Sequence, residues 1–123
     1  MKKILVIDDD AEVCLLIKNG LERSGDFNVV YATSGKDGLR LVKQEKPHLL
    51  LLDVRLPDID GFEVLQQVKQ DKETAGIPVV MLTALEDEKY QKEAQHSYGE
   101  GYLTKPAQLK DIKSTIENIL GNI

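Results

Sequence analysis

A doubly wound α/β fold, with a five-stranded parallel sheet covered by helices on both faces, is what this sequence of 123 residues predicts. Two observations carry the expectation. Short apolar runs alternate with segments of helical period along the chain, and acidic, hydroxyl or basic residues stand directly after most of those runs. Strands buried on both faces read as continuous hydrophobic runs rather than as alternating ones, which is the pattern of a parallel sheet between helices.

The elements follow in order. The first run, Ile4–Ile7, ends in Asp8, Asp9 and Asp10. Behind it Val13, Leu16, Ile17 and Leu21 fall at i, i+3, i+4 and i+8, one face of a first helix, with Cys14 and Leu15 on another side. The second run, Phe27–Tyr31, precedes a helix marked by Leu39 and Val42. The third is Leu49–Leu52, four leucines closed by Asp53, and the helix after it carries Phe62, Leu65 and Val68. Pro57 and Gly61 shape the loop between them. After the fourth run, Val79–Leu82, comes a more polar helix over about Leu85 to Ser97. The fifth run, Tyr102–Thr104, leads into a helix from Ala107 with Leu109, Ile112, Ile116 and Ile119. No repeat or linker interrupts this order, so one domain over residues 1–123 is expected.

Composition narrows the function. Hydrophobic residues make up 41% and charged residues 30%, the balance of an ordinary globular domain. The net charge of -5 argues against direct nucleic-acid binding, which needs a basic surface. One cysteine, Cys14, cannot form an internal disulfide. The opening MKKILVIDDD turns acidic too soon for a signal peptide, and no segment approaches membrane-spanning length. A cytoplasmic protein without membrane insertion is expected.

In open parallel sheets ligands bind beyond the carboxyl ends of the strands. Asp8, Asp9, Asp10, Asp53, Thr83 and Lys105 are therefore expected at one edge. Crowded carboxylates hold protons more tightly unless a cation neutralises them. A hard ion such as Mg²⁺ suits a few carboxylates with water or phosphate at its other positions. Aspartate can attack phosphorus, and the ion and Lys105 would offset the charge on the phosphoryl oxygens. Other motifs fail. DIDG, Asp58 to Gly61, resembles a calcium loop, but Leu56 and Gln67 occupy its first and twelfth ligand positions. SGKDG lacks the flanking residues of a P-loop, and His48 and His96 have no zinc-ligand partners. His48, after Pro47 at a strand entrance, is expected to be structural.

The segments ILVIDDD, LLLLDVRLPDIDG, VVMLTA and YLTKP, in that order, resemble the signature segments of bacterial two-component response-regulator receiver domains, and the likeness covers essentially the whole chain. The resemblance implies the flavodoxin-like strand order 2-1-3-4-5. It implies that Asp53 accepts a phosphoryl group from a sensor histidine kinase or a histidine phosphotransfer protein. Asp8, Asp9, Asp53 and the backbone carbonyl of Arg55 would hold Mg²⁺, Thr83 and Lys105 would bind phosphoryl oxygens, and Tyr102 would swing inward when Thr83 moves. Asp10 matches a commonly acidic position with no direct metal role, and a cis Lys105–Pro106 bond is implied.

The function so implied is a phosphorylation-dependent switch of a phosphorelay. Its phosphoryl transfer and autodephosphorylation are self-catalysed, so it is not a conventional enzyme. No output domain is expected after Ile123, and the expected output is contact with a downstream protein, alone or within a longer chain. The stretch YGEG, Tyr98 to Gly101, departs from the family's glycine-alanine-aspartate pattern. Arg55 and Leu85 flank the expected phosphoryl site and are expected to tune access of water. Two other readings are an aspartyl-phosphate phosphohydrolase and a flavin-binding flavodoxin-like module. The first wants Asp-x-Asp where Val54 and Arg55 follow Asp53, and the second wants a phosphate loop the strand ends lack. Cys14 and Leu15, with Leu56 and Pro57, are expected to form an apolar collar where a phosphohistidine-bearing helix docks.

Overall fold

Five strands, β1 (Lys2–Ile7), β2 (Phe27–Ala32), β3 (Leu49–Asp53), β4 (Val79–Ala84) and β5 (Gly101–Lys105), pair in parallel in the order β2-β1-β3-β4-β5, as expected. The computed structural model describes residues 1–84 and 100–121, and its helices are α1 (Ala11–Arg23), α2 (Gly35–Glu45), α3 (Gly61–Gln70) and α4 (Leu109–Leu120). The expected helix over Leu85 to Ser97, with His96 and Tyr98, lies outside the described residues.

The four leucines divide by parity, which explains a strand without alternation. Leu49 and Leu51 join Ile4, Val6, Val80 and Leu82 on the face packed by Cys14, Ile17 and Leu21 of α1 and by Ile112 and Ile116 of α4. Leu50 and Leu52 join Leu5, Ile7, Val79 and Met81 under Val42 of α2 and Val64, Leu65 and Val68 of α3. All four leucines are fully buried. At about 25 cal/mol per Å² of apolar surface, burying each contributes roughly 1.5–3 kcal/mol.

Three helices start where a side chain caps them. Asp10 accepts from the Glu12 N–H, Ser34 from that of Asp37 and Asp60 from that of Phe62. Each cap is worth about 1 kcal/mol and starts its helix just beyond the carboxyl edge of the sheet. α4 begins at Leu109, two residues after the expected Ala107, and Gln108 before it makes no side-chain cap. Leu109 itself lies partly exposed over Gly20 of α1, where an added Cβ would come within 2.3 Å of its Cδ2.

The face assigned to α1 needs correction. Leu16 is 72% exposed and Cys14 is fully buried, the reverse of the expectation, while Leu15 is exposed as expected. At about 100° per residue Cys14, Ile17 and Leu21 fall within about 60° of one another, whereas Leu16 lies about 200° from Cys14. A buried thiol behaves as a small hydrophobe. Burial, with the Asp8 charge beside it, pushes the Cys14 thiol up to about 12, and its Sγ lies 3.4 Å from the Asp8 carbonyl oxygen. The native protein is therefore expected to leave Cys14 unlabelled by a thiol reagent at pH 8, with full labelling after unfolding. Rapid native labelling would contradict this packing.

Polar ties hold the ends of the layers. Lys18 on α1 donates to the Val29 carbonyl at 2.8 Å, and Glu22, paired with Lys18 at 2.9 Å, accepts from the Val29 N–H at 2.9 Å. At the opposite end of the sheet Lys69 donates to the carbonyls of Ala75 and Ile77 and to Glu100, whose carboxylate also accepts from the Val79 N–H. Glu100 of the divergent YGEG stretch thus fastens the entry to β5. His48 Nδ1 accepts from the Lys3 N–H at 2.9 Å, the structural role expected of it. Among the described residues no helix is long and apolar enough to cross a membrane.

Candidate functional site

The site is assembled by the ends of four strands. Asp8 follows β1 directly, and its N–H donates to the Ala32 carbonyl at 3.1 Å. Asp53 closes β3 opposite Leu82, so the next β4 residue is Thr83, which lies opposite Thr104. Lys105 closes β5. The carboxyl edge therefore gathers residues distant in sequence, as expected.

Lys105 bridges the two buried carboxylates. Its Nζ lies 2.7 Å from Asp8 Oδ2 and 3.1 Å from Asp53 Oδ2. The second oxygens have other donors, the Asp10 N–H for Asp8 at 2.9 Å and the Arg55 N–H for Asp53 at 3.2 Å. Asp8 is fully buried and Asp53 is 5% exposed, so both charges depend on these donors. Burial, followed by repulsion from Asp8, raises the Asp53 carboxyl to about 6 despite Lys105 and the Arg55 N–H. The ammonium of Lys105 is held above its usual range, because its bonds to the two carboxylates outweigh a burial that acts the other way.

Asp8, Asp9 and Asp53 each offer a ligand oxygen within 4.8 Å of the others, and Asp9 is exposed while the other two are buried. Three carboxylates, one open to solvent, fit a hard divalent cation that keeps part of its water shell. The Thr83 hydroxyl is fully buried and makes no hydrogen bond among the described residues. A buried hydroxyl without a partner is costly, and this one has its donor capacity free for an oxygen brought to the edge.

The remaining expected residues fall as follows. Asp10 serves α1 as its cap. Tyr102 is half-buried against the cluster that contains Met81, its register partner. Arg55 is exposed. The Lys105–Pro106 bond is cis, as implied. Leu85 lies outside the described residues. Cys14 drops out of the expected collar because it is buried, whereas Leu15, Leu56 and Pro57 keep some exposure, and Leu16 adds more.

One residue matters more than the sequence alone signals. The Gly61 N–H donates to the Val54 carbonyl at 2.8 Å, and a Cβ on Gly61 would meet the Asp53 carbonyl oxygen at 2.2 Å. The loop after Asp53 thus folds back onto the Asp53 backbone itself. Its glycine is legible in the sequence; the closeness of the contact is not.

Comparison with known proteins agrees with this geometry. The family model described as the response regulator receiver domain matches residues 4–117. The chain is similar to the alkaline phosphatase synthesis transcriptional regulatory protein PhoP of Bacillus subtilis, at 40% identity over 97% of this chain and 48% of that protein. It is also similar to Protein PilH of Pseudomonas aeruginosa, at 33% identity over 98% of each. The chain thus spans about half the length of PhoP and nearly all of PilH. A solved CheY-like response regulator receiver domain protein from Methanospirillum hungatei superposes with a TM-score of 0.88 at 27% identity, over 98% of this chain and 94% of that one.

Proposed function

The chain belongs to the response regulator receiver domain family, and on that premise we propose that it is a phosphorylation-dependent switch whose phospho-acceptor is Asp53. The pairing of Lys105 with two buried carboxylates, next in the sheet to the unpartnered Thr83 hydroxyl, is the observation that carries the reading.

The transfer is a displacement at phosphorus. A carboxylate oxygen of Asp53 forms the bond to phosphorus as the phosphorus–nitrogen bond of a donor phosphohistidine breaks. The electron pair of that bond goes to the imidazole. Asp53 is mostly ionised above about pH 6, so the nucleophile is ready at neutral pH. Lys105 exchanges its Asp53 partner for a phosphoryl oxygen, and the Thr83 hydroxyl donates to another, which gives it the partner it lacks. Asp8, Asp9, Asp53 and the Arg55 carbonyl are the residues that would hold Mg²⁺, and a bound ion would supply charge neutralisation of the incoming phosphoryl dianion. Tyr102, half-buried beside β4, would turn inward as Thr83 engages and so pass the change to the surface.

The donor on this reading is a histidine kinase or a histidine phosphotransfer protein, in the cytoplasm, and the output is contact with a downstream protein. The exposed Leu15 and Leu16 of α1, with Leu56 and Pro57 of the loop after Asp53, would offer the donor's helix an apolar footing. Loss of the phosphoryl group by hydrolysis is likewise self-catalysed on this reading.

The test is incubation with acetyl phosphate and Mg²⁺, followed by mass spectrometry of the modified peptide. The expected result is one phosphoryl group on Asp53, abolished by EDTA. Modification elsewhere, or at the same level with EDTA present, would refute the assignment.

A further inference from the structure

The loop between β3 and α3, residues 54–60, carries the Arg55 carbonyl and is fastened at both ends. The Arg55 N–H donates to Asp53 Oδ1 at 3.2 Å, and Gly61 closes on Val54. Its middle is fastened to a different element. Asp58 Oδ1 accepts from the Gly35 N–H at 2.8 Å, and Asp58 Oδ2 from the Lys36 N–H at 2.9 Å. These are the first two N–H groups of α2, and Ser34 is engaged instead with that of Asp37.

Beside the carboxylate, Ile59 covers Gly35 so closely that a Cβ there would lie 2.4 Å from Ile59 Cγ1. The bonds from Lys36 foremost, and from Gly35, hold the exposed Asp58 carboxyl below its usual range. The start of α2 is in turn fixed to the acidic edge, because β2 ends at Ala32, whose carbonyl accepts from the Asp8 N–H at 3.1 Å. Asp58 is therefore a side-chain tie between the segment bearing Arg55 and the start of α2, which the Ala32 carbonyl in turn links to Asp8.

We propose that Asp58 is a positioning residue for the metal site: by seating the β3–α3 loop on the start of α2, it sets the Arg55 carbonyl relative to the carboxylates of Asp8 and Asp9. The proposal rests on the reading that these groups hold Mg²⁺. Ser34 satisfies only one of the N–H groups that the first turn of α2 leaves open, and Asp58 satisfies two more. Because Asp58 does so from another loop, the same bonds also hold still the segment that carries the Arg55 carbonyl.

Calorimetric titration with Mg²⁺ alone tests it on four proteins, wild type, Asp58→Ala, Asp58→Asn and Ser34→Ala, each with its thermal unfolding. Asp58→Ala should weaken Mg²⁺ about tenfold, the usual scale for losing an outer-shell partner. Asp58→Asn keeps one acceptor and should fall between it and wild type. Ser34→Ala loses a cap on the same helix, so it should unfold earlier yet bind Mg²⁺ as wild type does. Unchanged affinity in Asp58→Ala would overturn the proposal. So would an equal loss in Ser34→Ala, which marks helix stability, or an equal loss in Asp58→Asn, which marks charge alone. A wild-type protein that binds no Mg²⁺ would instead overturn the metal-site reading, and the positioning role with it.

Discussion

Asp53→Asn should be unable to accept a phosphoryl group and, without metal at neutral pH, should be more stable than wild type by about 3 kcal/mol. The amide keeps the shape and removes the nucleophile. It also removes a charge that the fold accommodates poorly, since Asp53 is buried against Asp8 and one ammonium serves both. The sign of the pH dependence follows. The folded carboxyl titrates near 6 against an ordinary 3.8, so folding takes up a proton between those values. Wild-type stability therefore falls as pH rises through that window, and the cost is complete above it. In Asp53→Asn this fall is missing, so the two stability curves converge below about pH 4 and separate above about pH 6. Urea unfolding in EDTA across this range reads the difference directly. A gap that stays constant with pH would mean that Asp53 is not strained by its charge. Added Mg²⁺ should narrow the gap by binding wild type more tightly.

Gly61→Ala should destabilise the protein by about 3 kcal/mol, the upper end of what overpacking typically costs. The new methyl group would stand 2.2 Å from the Asp53 carbonyl oxygen, 2.8 Å from Val54 Cα and 2.9 Å from the Val54 oxygen. All three are backbone atoms of Asp53 and Val54, so no rotamer change relieves the contact. Gly38 provides the comparison. A Cβ there would approach Ile7 Cδ1 at 2.3 Å, Cγ1 at 2.8 Å and Cγ2 at 3.1 Å, all of them side-chain atoms rather than backbone. Gly38→Ala also gains about 1 kcal/mol of helix propensity, so its loss should be much smaller. Chemical unfolding of both variants tests the contrast, and a Gly61→Ala protein as stable as wild type would show that the loop can move aside.

How far the sequence anticipated the molecule depends on which forces were local. The sheet was legible because strands buried on both faces must be continuously apolar, and each run did become a strand, lengthened by a residue or two. The edge residues were legible for a related reason. Asp53 or Lys105 at the end of an apolar run stands out by its solvation cost.

The sequence does not single out the buried face of α1, because several overlapping sets of apolar residues satisfy a helical period on so short a helix. Which side α1 turns to the sheet is settled by packing in the assembled fold, and there Cys14 rather than Leu16 is buried. The role of Asp58 is not legible in the sequence, because its partners lie 22 and 23 residues away and no local pattern announces them. The unpartnered state of Thr83 is likewise a property of the assembled fold.

The bonds of Lys18 and Glu22 to Val29 bear on how the protein behaves in a crowded solution. β2 is an outermost strand, and such a rim normally offers N–H and C=O groups to any extended chain that comes by. Here an ammonium and a carboxylate from α1 already fill the donor and acceptor positions of Val29 that an added strand would take. Growth of the sheet outward from β2, whether by aggregation or by capture of an extended peptide, must first dislodge a pair of charges. At Val29, therefore, the rim of β2 is closed to an incoming strand by its own helix.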